Sequence, residues 1–258
     1  MASVASVASA ASAASGASGE PLLELNAVEK SFGAVKVIDA LSFALAEREL
    51  LGIIGPNGAG KTTLFNLVSG DLRADRGSIH FAGADITAAA PHARCRQGIG
   101  RSYQIPQPFG GMTVYENLLV AANFGASSAE RAANNECALI LDQMGLRRHA
   151  NQLAGKLTLL ERKRLELARA LATKPKLLLL DEIAGGLTEH EAAELGAVIR
   201  GIKATGISII WIEHVVHALV AVADRLLVIN FGARLAEGRP DAVIADPEVK
   251  RVYMGIEA

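Results

Sequence analysis

Gly55-Pro56-Asn57-Gly58-Ala59-Gly60-Lys61-Thr62 matches the pattern G-x-x-x-x-G-K-[ST], and its surroundings are those the pattern needs. Before it runs a continuous apolar segment, 50–54, which reads as a buried parallel strand. After it, residues 62–69 read as a helix closed by Gly70. Glycine permits backbone conformations closed to other residues, so successive N–H groups of the loop can wrap a chain of phosphates. The helix adds its positive N-terminal end. Lys61 is placed to reach the β- and γ-phosphates, and the Thr62 hydroxyl to ligate Mg²⁺. With Thr63, these residues form the expected nucleotide-binding set.

A second apolar run, 176–180, ends in Asp181-Glu182. Asp181 is suited to hold Mg²⁺ through water and joins the nucleotide-binding set. Glu182 is suited to polarise an attacking water, because phosphoryl transfer needs positioning more than covalent chemistry. A third run, 207–212, is followed by Glu213 and His214. If these strands are parallel, their carboxyl ends face one crevice, and His214 is positioned to hydrogen-bond a γ-phosphate. Gln104, after a short strand at 99–103, stands at a similar edge.

The remaining chain reads as strands at 22–28, 35–45 and 225–230, a hairpin at 78–86 with Gly83 near its turn, and a helix at 188–204 capped by Thr188. Residues 113–172 carry no strong strand signal and read as several helices. Strands alternating with helices imply a parallel sheet covered on both faces, here with a helical insertion in the middle.

Composition narrows the function classes. Of 258 residues, 26 are Lys or Arg and 27 Asp or Glu, a net charge of -1. That balance lacks the basic surplus of a duplex nucleic-acid binder, so no nucleic-acid partner is expected. Two cysteines, Cys95 and Cys137, make neither a disulfide framework nor metal-ligand spacing, and suit a reducing compartment. No apolar run approaches the ~18 residues that span a bilayer. Residues 1–19 contain only Met, Ala, Ser, Val and Gly. They lack the basic start and unbroken apolar core of a secretory signal, so 1–20 is expected to be a disordered tail ahead of a single domain, 21–258.

In this order the motifs resemble those of the ATP-binding cassette family, the nucleotide-binding subunits of ABC transporters. The resemblance runs over residues 21–255. It implies a P-loop NTPase core of α/β class, with an antiparallel β subdomain and an α-helical subdomain inserted at about 106–172. It makes Gln104 the Q-loop glutamine, shared between catalysis and Mg²⁺, His214 the switch histidine, and Phe32 in Lys30-Ser31-Phe32-Gly33 the aromatic that stacks on adenine. ATP and Mg²⁺ are the implied ligands.

Within the family the chain is most similar to the ATPases of branched-chain amino acid uptake systems, and to the longer of the two paired there. The likeness rests on Gly98-Ile99-Gly100-Arg101-Ser102-Tyr103-Gln104, Met112-Thr113-Val114-Tyr115-Glu116-Asn117-Leu118, Arg164-Leu165-Glu166-Leu167-Ala168-Arg169-Ala170-Leu171 and Ala236-Glu237-Gly238. The implied partners are a second cassette, identical or different, two membrane permease subunits and, indirectly, a periplasmic substrate-binding protein. The implied place is the cytoplasmic face of the inner membrane, as a peripheral subunit.

Two departures stand out. The family signature Leu-Ser-Gly-Gly-Gln is here Leu157-Thr158-Leu159-Leu160-Glu161. In the family this segment closes on ATP held by the opposite subunit. Thr158 keeps the hydroxyl and Leu160 an N–H without glycine's close approach, while Glu161 brings a negative charge. The D-loop, which in the family ends in Asp or Asn, ends here in Thr188. The chain's own phosphate loop is complete, so the weakened site is the one its signature would form with a partner's ATP. Beside the importer ATPase stand a regulatory cassette with little turnover, related urea or amide importers and lipopolysaccharide exporters, and soluble cassettes of DNA repair or translation. These last usually carry the paired cassettes, coiled coils or basic arms that this sequence lacks.

Overall fold

A computed structural model describes residues 20–125, 130–214 and 216–254. Of the expected tail, 1–20, all but Glu20 lies outside the described residues. The chain opens with β1 (Leu23–Phe32), β2 (Val35–Leu45) and β3 (Leu50–Ile54), then α1 (Lys61–Ser69), β4 (Arg76–Phe81), β5 (Ala84–Asp85), α2 (Pro91–Gln97) and β6 (Ile99–Ser102). The middle is helical: α3 (Val114–Gly125), α4 (Glu130–Gln143) and α5 (Leu159–Ala172). After it come β7 (Leu177–Asp181), α6 (Glu189–Ala204), β8 (Ser208–Ile212), α7 (Val216–Val220), β9 (Arg225–Asn230), β10 (Ala233–Gly238), α8 (Pro240–Ala245) and α9 (Pro247–Met254).

The strands form two sheets, ordered β2-β1-β4-β5 and β10-β9-β3-β8-β7-β6. In the larger sheet β9, β3, β8, β7 and β6 are parallel and β10 returns antiparallel at the edge. Every residue of β3, β7 and β8 is buried, which is why each reads as an unbroken apolar run. Alternate side chains serve two cores. Leu50, Ile54, Leu178, Leu180, Ile209 and Trp211 pack toward the helical middle. Leu51, Ile53, Leu177, Leu179, Ile210 and Ile212 pack with α1 and the antiparallel sheet. Val114, Leu118, Cys137, Leu141 and Leu165 belong to the first of these cores, so the inserted helices are seated on the sheet.

The sequence predicts the first strand to end at residue 28, whereas β1 continues to Phe32. Its pairing with β2 shifts between Leu25 and Val28, and Ala27 has φ 44°, so a bulge breaks the period of two there. The edge strand β10 and the short helices α2, α7, α8 and α9, of five to eight residues each, are too short for a period to stand out in sequence.

One buried cation ties the first helix to its surroundings. Arg94 of α2 donates from Nη1 to the carbonyls of Leu67 and Val68 at 2.6 and 2.9 Å, from Nε to Ala89 at 3.0 Å and from Nη2 to Thr87 at 3.1 Å. Two of these acceptors belong to the last turn of α1, where carbonyls have no partner inside the helix. Arg94→Met keeps most of the stem and removes all the donors. We expect it to destabilise the chain by about 3 kcal/mol in urea unfolding; a loss below about 1 kcal/mol would contradict this role.

Candidate nucleotide site

The carboxyl ends of the parallel strands gather the candidate residues, because the register sets them level. Ile53 pairs with Ile212, and Asp181 pairs with Ile212 from the other side. The loop after β3 turns into α1 at Gly60, which caps the helix at φ 101°. A Cβ on Gly60 would lie 2.6 Å from the Val37 carbonyl oxygen, so close backbone approach and positive φ both require glycine there. Lys61 is only 6% exposed. Its Nζ donates to the carbonyls of Gly55 at 2.7 Å and Pro56 at 3.0 Å, folding the loop around its own ammonium group. Burial pulls the Lys61 pKa below its ordinary value, against the opposing pull of Glu182 and Asp181. Thr62 is exposed at the start of α1 and Thr63 half-buried.

Asp181 ends β7 and is 4% exposed. Burial pushes its pKa up, and the Arg101 guanidinium, 3.1 Å away, works in the other direction. Glu182 follows in a left-handed conformation, φ 46°, its N–H donating to the Ile212 carbonyl at 2.9 Å. For a residue with a Cβ that conformation costs about 1–2 kcal/mol. Both carboxylate oxygens of Glu182 are engaged. Gln104 Nε2 donates to Oε2 at 2.6 Å, and His214 Nε2 lies 2.6 Å from Oε1. The three residues expected to act together thus meet from the ends of β6, β7 and β8, with Gln104 and His214 both facing Glu182.

Phe32 lies at the β1–β2 turn, opposite Val35, and is 49% exposed. The Lys30 ammonium is 5.7 Å from the ring centroid. A ring this exposed is not a core residue, and it leaves an aromatic surface open.

The altered signature is used locally. Thr158 caps α5, its Oγ1 accepting from the Glu161 N–H at 3.4 Å, and Glu161 Oε2 accepts from the Thr158 N–H at 2.9 Å. Glu161 Oε1 is also 3.0 Å from His149 Nε2. Leu159 is exposed and Leu160 half-buried. Thr188 forms the same reciprocal cap on α6 with Glu191.

Two polar residues escaped the sequence reading. Glu213 is buried and accepts from the Ala184 N–H at 2.7 Å and from Trp211 Nε1 at 3.2 Å, joining the segment after Glu182 to the end of β8. Burial pushes its carboxyl pKa up. Arg101 reaches Asp181 from within β6. The available signal in both cases is a charge at the end of, or inside, an apolar strand, where an unpaired charge is costly. The arrangement is suited to cradling a phosphate chain in the loop and to directing water at its end from Glu182.

Comparison with known proteins agrees with this geometry. The profile of the family described as "ABC transporter" matches residues 38–185. The high-affinity branched-chain amino acid transport ATP-binding protein BraF of Pseudomonas aeruginosa is 34% identical over 250 residues, 91% of this chain and 98% of that protein. LivG of Escherichia coli strain K12, of the same description, is 34% identical, covering 92% and 98%. The lipopolysaccharide export system ATP-binding protein LptB of Haemophilus influenzae is 32% identical, covering 91% and 97%. Among solved structures, the ADP conformation of MJ1267, an ATP-binding cassette of an ABC transporter, superposes with a TM-score of 0.84 at 33% identity, covering 92% of this chain and all of that one. The sheet order, the phosphate loop and these likenesses agree: the chain belongs to the ABC transporter family, as an ATP-binding cassette that hydrolyses ATP.

Proposed function

We propose that the chain is the ATP-hydrolysing subunit of an importer for branched-chain or related amino acids, working on the cytoplasmic face of the inner membrane. The observation that carries the catalytic reading is the meeting of Gln104, Glu182 and His214 beside Asp181 and a complete phosphate loop. The substrate class follows the likeness to BraF and LivG.

ATP lays its phosphates along the loop from Gly55 to Thr63, with Lys61 turning from the loop carbonyls to the β- and γ-phosphates. Phe32 stacks on adenine. Magnesium fits the donors at hand: the exposed Thr62 hydroxyl, the Asp181 carboxylate and the Gln104 amide oxygen, whose partner nitrogen is turned to Glu182, are all hard oxygen ligands. When bound, the ion supplies positive charge against that developing on the phosphates. Glu182 orients the attacking water and takes its proton. Gln104 and His214 hold the two oxygens of that carboxylate, and His214 is in reach of the γ-phosphate end. Closure with a second cassette, head to tail, brings a partner's signature onto this site.

Two permease subunits are the membrane partners, and a periplasmic substrate-binding protein acts through them. The surface offered to a permease is a cleft of about 310 Å³ between the sheet and the inserted helices, lined by Asp71, Tyr103, Ala121 and Arg169. Beside it Tyr103, Ile105, Phe109 and Met112 are exposed, an apolar group suited to a docking helix. No helix among the described residues is long and apolar enough to cross a membrane. Purification of the tagged chain from mildly solubilised membranes is expected to bring multi-span permeases with it; recovery in the soluble fraction alone overturns the importer reading.

Glu182→Gln in the reconstituted transporter is expected to lower ATP turnover by about a hundredfold or more while ATP still binds. An unchanged rate removes Glu182 from its role. The reciprocal cap at Thr158 and Glu161 favours a second reading, in which this chain's own signature limits turnover. The combined change L159G, L160G and E161Q is then expected to raise the turnover of a preparation containing this cassette alone by about tenfold, about 1.4 kcal/mol. An unaltered rate shows that the capped signature is not limiting.

A further inference from the structure

Arg101 stands apart from the other charged residues of the core in what it joins. It is the third residue of β6, its side chain 9% exposed, and its guanidinium is forked between two elements. Nη2 donates to Asp181 Oδ2 at 3.1 Å. Nη1 donates to Asn66 Oδ1 at 2.7 Å and Ser69 Oγ at 3.0 Å, both on α1, and to Asp71 Oδ2 at 3.0 Å just beyond it. The plane is flanked by aromatic rings, Tyr103 at 4.9 Å and Phe65 at 5.8 Å from the guanidinium carbon. Hydrogen bonds in the plane and rings over it fix the orientation of the group, which a lysine ammonium on its flexible stem does not reproduce.

The consequence concerns two oxygen donors on different elements. Thr62 stands at the start of α1 and Asp181 at the end of β7. Arg101 bonds Asp181 with one arm and α1 with the other, so the distance between those donors is set in part through its fork. We propose that Arg101 is a positioning residue for the ATPase reaction, holding the Asp181 carboxylate in register with the phosphate-loop helix so that magnesium meets Thr62 and Asp181 together. This rests on the assignment of Asp181 to magnesium. Hydrogen-bond partners of metal-ligating carboxylates are worth about 10–100-fold in metal affinity.

The test is binding of a fluorescent ADP analogue to the purified full chain, with excess EDTA and across a magnesium titration. In Arg101→Met, metal-free affinity is expected to stay within about twofold of the unaltered chain, while the magnesium needed for half of the metal-dependent gain rises about tenfold. Arg101→Lys, which keeps the charge and most of the stem, is expected to fall between the two. A structural role alone would lower both affinities by the same factor, and that result overturns the proposal. So does an unshifted magnesium requirement in Arg101→Met. If Arg101→Met does not fold, Arg101→Lys decides: a raised requirement supports the proposal and an unshifted one overturns it. Asp181→Asn is measured in parallel. Loss of the metal-dependent gain there with no shift in the Arg101 variants removes only Arg101 from the role. An unshifted Asp181→Asn removes the magnesium assignment, and the proposal with it.

Discussion

The pairing of β3, β8 and β7 is the constraint on which the site depends. Three strands buried on both faces leave no freedom of register, since a slip by one residue would exchange the side chains of the two cores. That fixed register brings the end of β3, where the phosphate loop begins, level with Ile212 and Asp181. The Glu182 N–H then bonds the Ile212 carbonyl, and the left-handed turn this enforces leaves the Glu182 carboxylate between Gln104 and His214. Packing energy from aliphatic side chains far from any ligand is what holds a strained glutamate in place.

Charge is the second theme, because the same burial that fixes the strands makes ions costly. Lys61, Asp181, Arg101 and Glu213 are all buried or nearly so, and each has a specific partner: loop carbonyls for Lys61, the Arg101 fork for Asp181, an amide N–H and an indole N–H for Glu213. Burial opposes the charged form of Lys61 and of Asp181 in opposite directions of pKa, and the nearby opposite charges counter it in both. A site of this kind is built to exchange partners. In the proposed function Lys61, held by two neutral carbonyls, would gain by turning to phosphate oxygens, since bonds between ionised groups are the stronger ones.

Much of this was legible in the sequence because the relevant physics is local. The strand–loop–helix around Gly55 to Thr62, the apolar run ending at Asp181-Glu182 and the cap at Thr188 each declare themselves within a few residues. The helical middle was legible for the same reason. Arg101 and Glu213 were not, since their roles depend on partners 80 and 29 positions away that only the sheet order brings near. The true length of β1 was hidden by a bulge at Ala27, and Phe32 was picked out only through the family resemblance, because exposure, which separates a core ring from a stacking ring, is not a property of its neighbours in sequence.

The signature segment has a different logic from the rest of the site. A helix N-terminus attracts an anion through its free N–H groups and its dipole, and glycines beside it let the phosphate come close. In this chain α5 already has an anion at that end: Glu161 occupies the Thr158 N–H and is held in turn by His149. A γ-phosphate brought there meets a carboxylate rather than an open donor, and two unit charges of like sign 4 Å apart repel by about 1–4 kcal/mol between water and a partly buried site. In contrast, the chain's own phosphate loop keeps its glycines, lysine and threonine. If the head-to-tail pairing proposed above holds, the asymmetry between a complete loop and an occupied signature suits a partner cassette whose signature retains its glycines, because ATP held by this chain would then meet an open helix end.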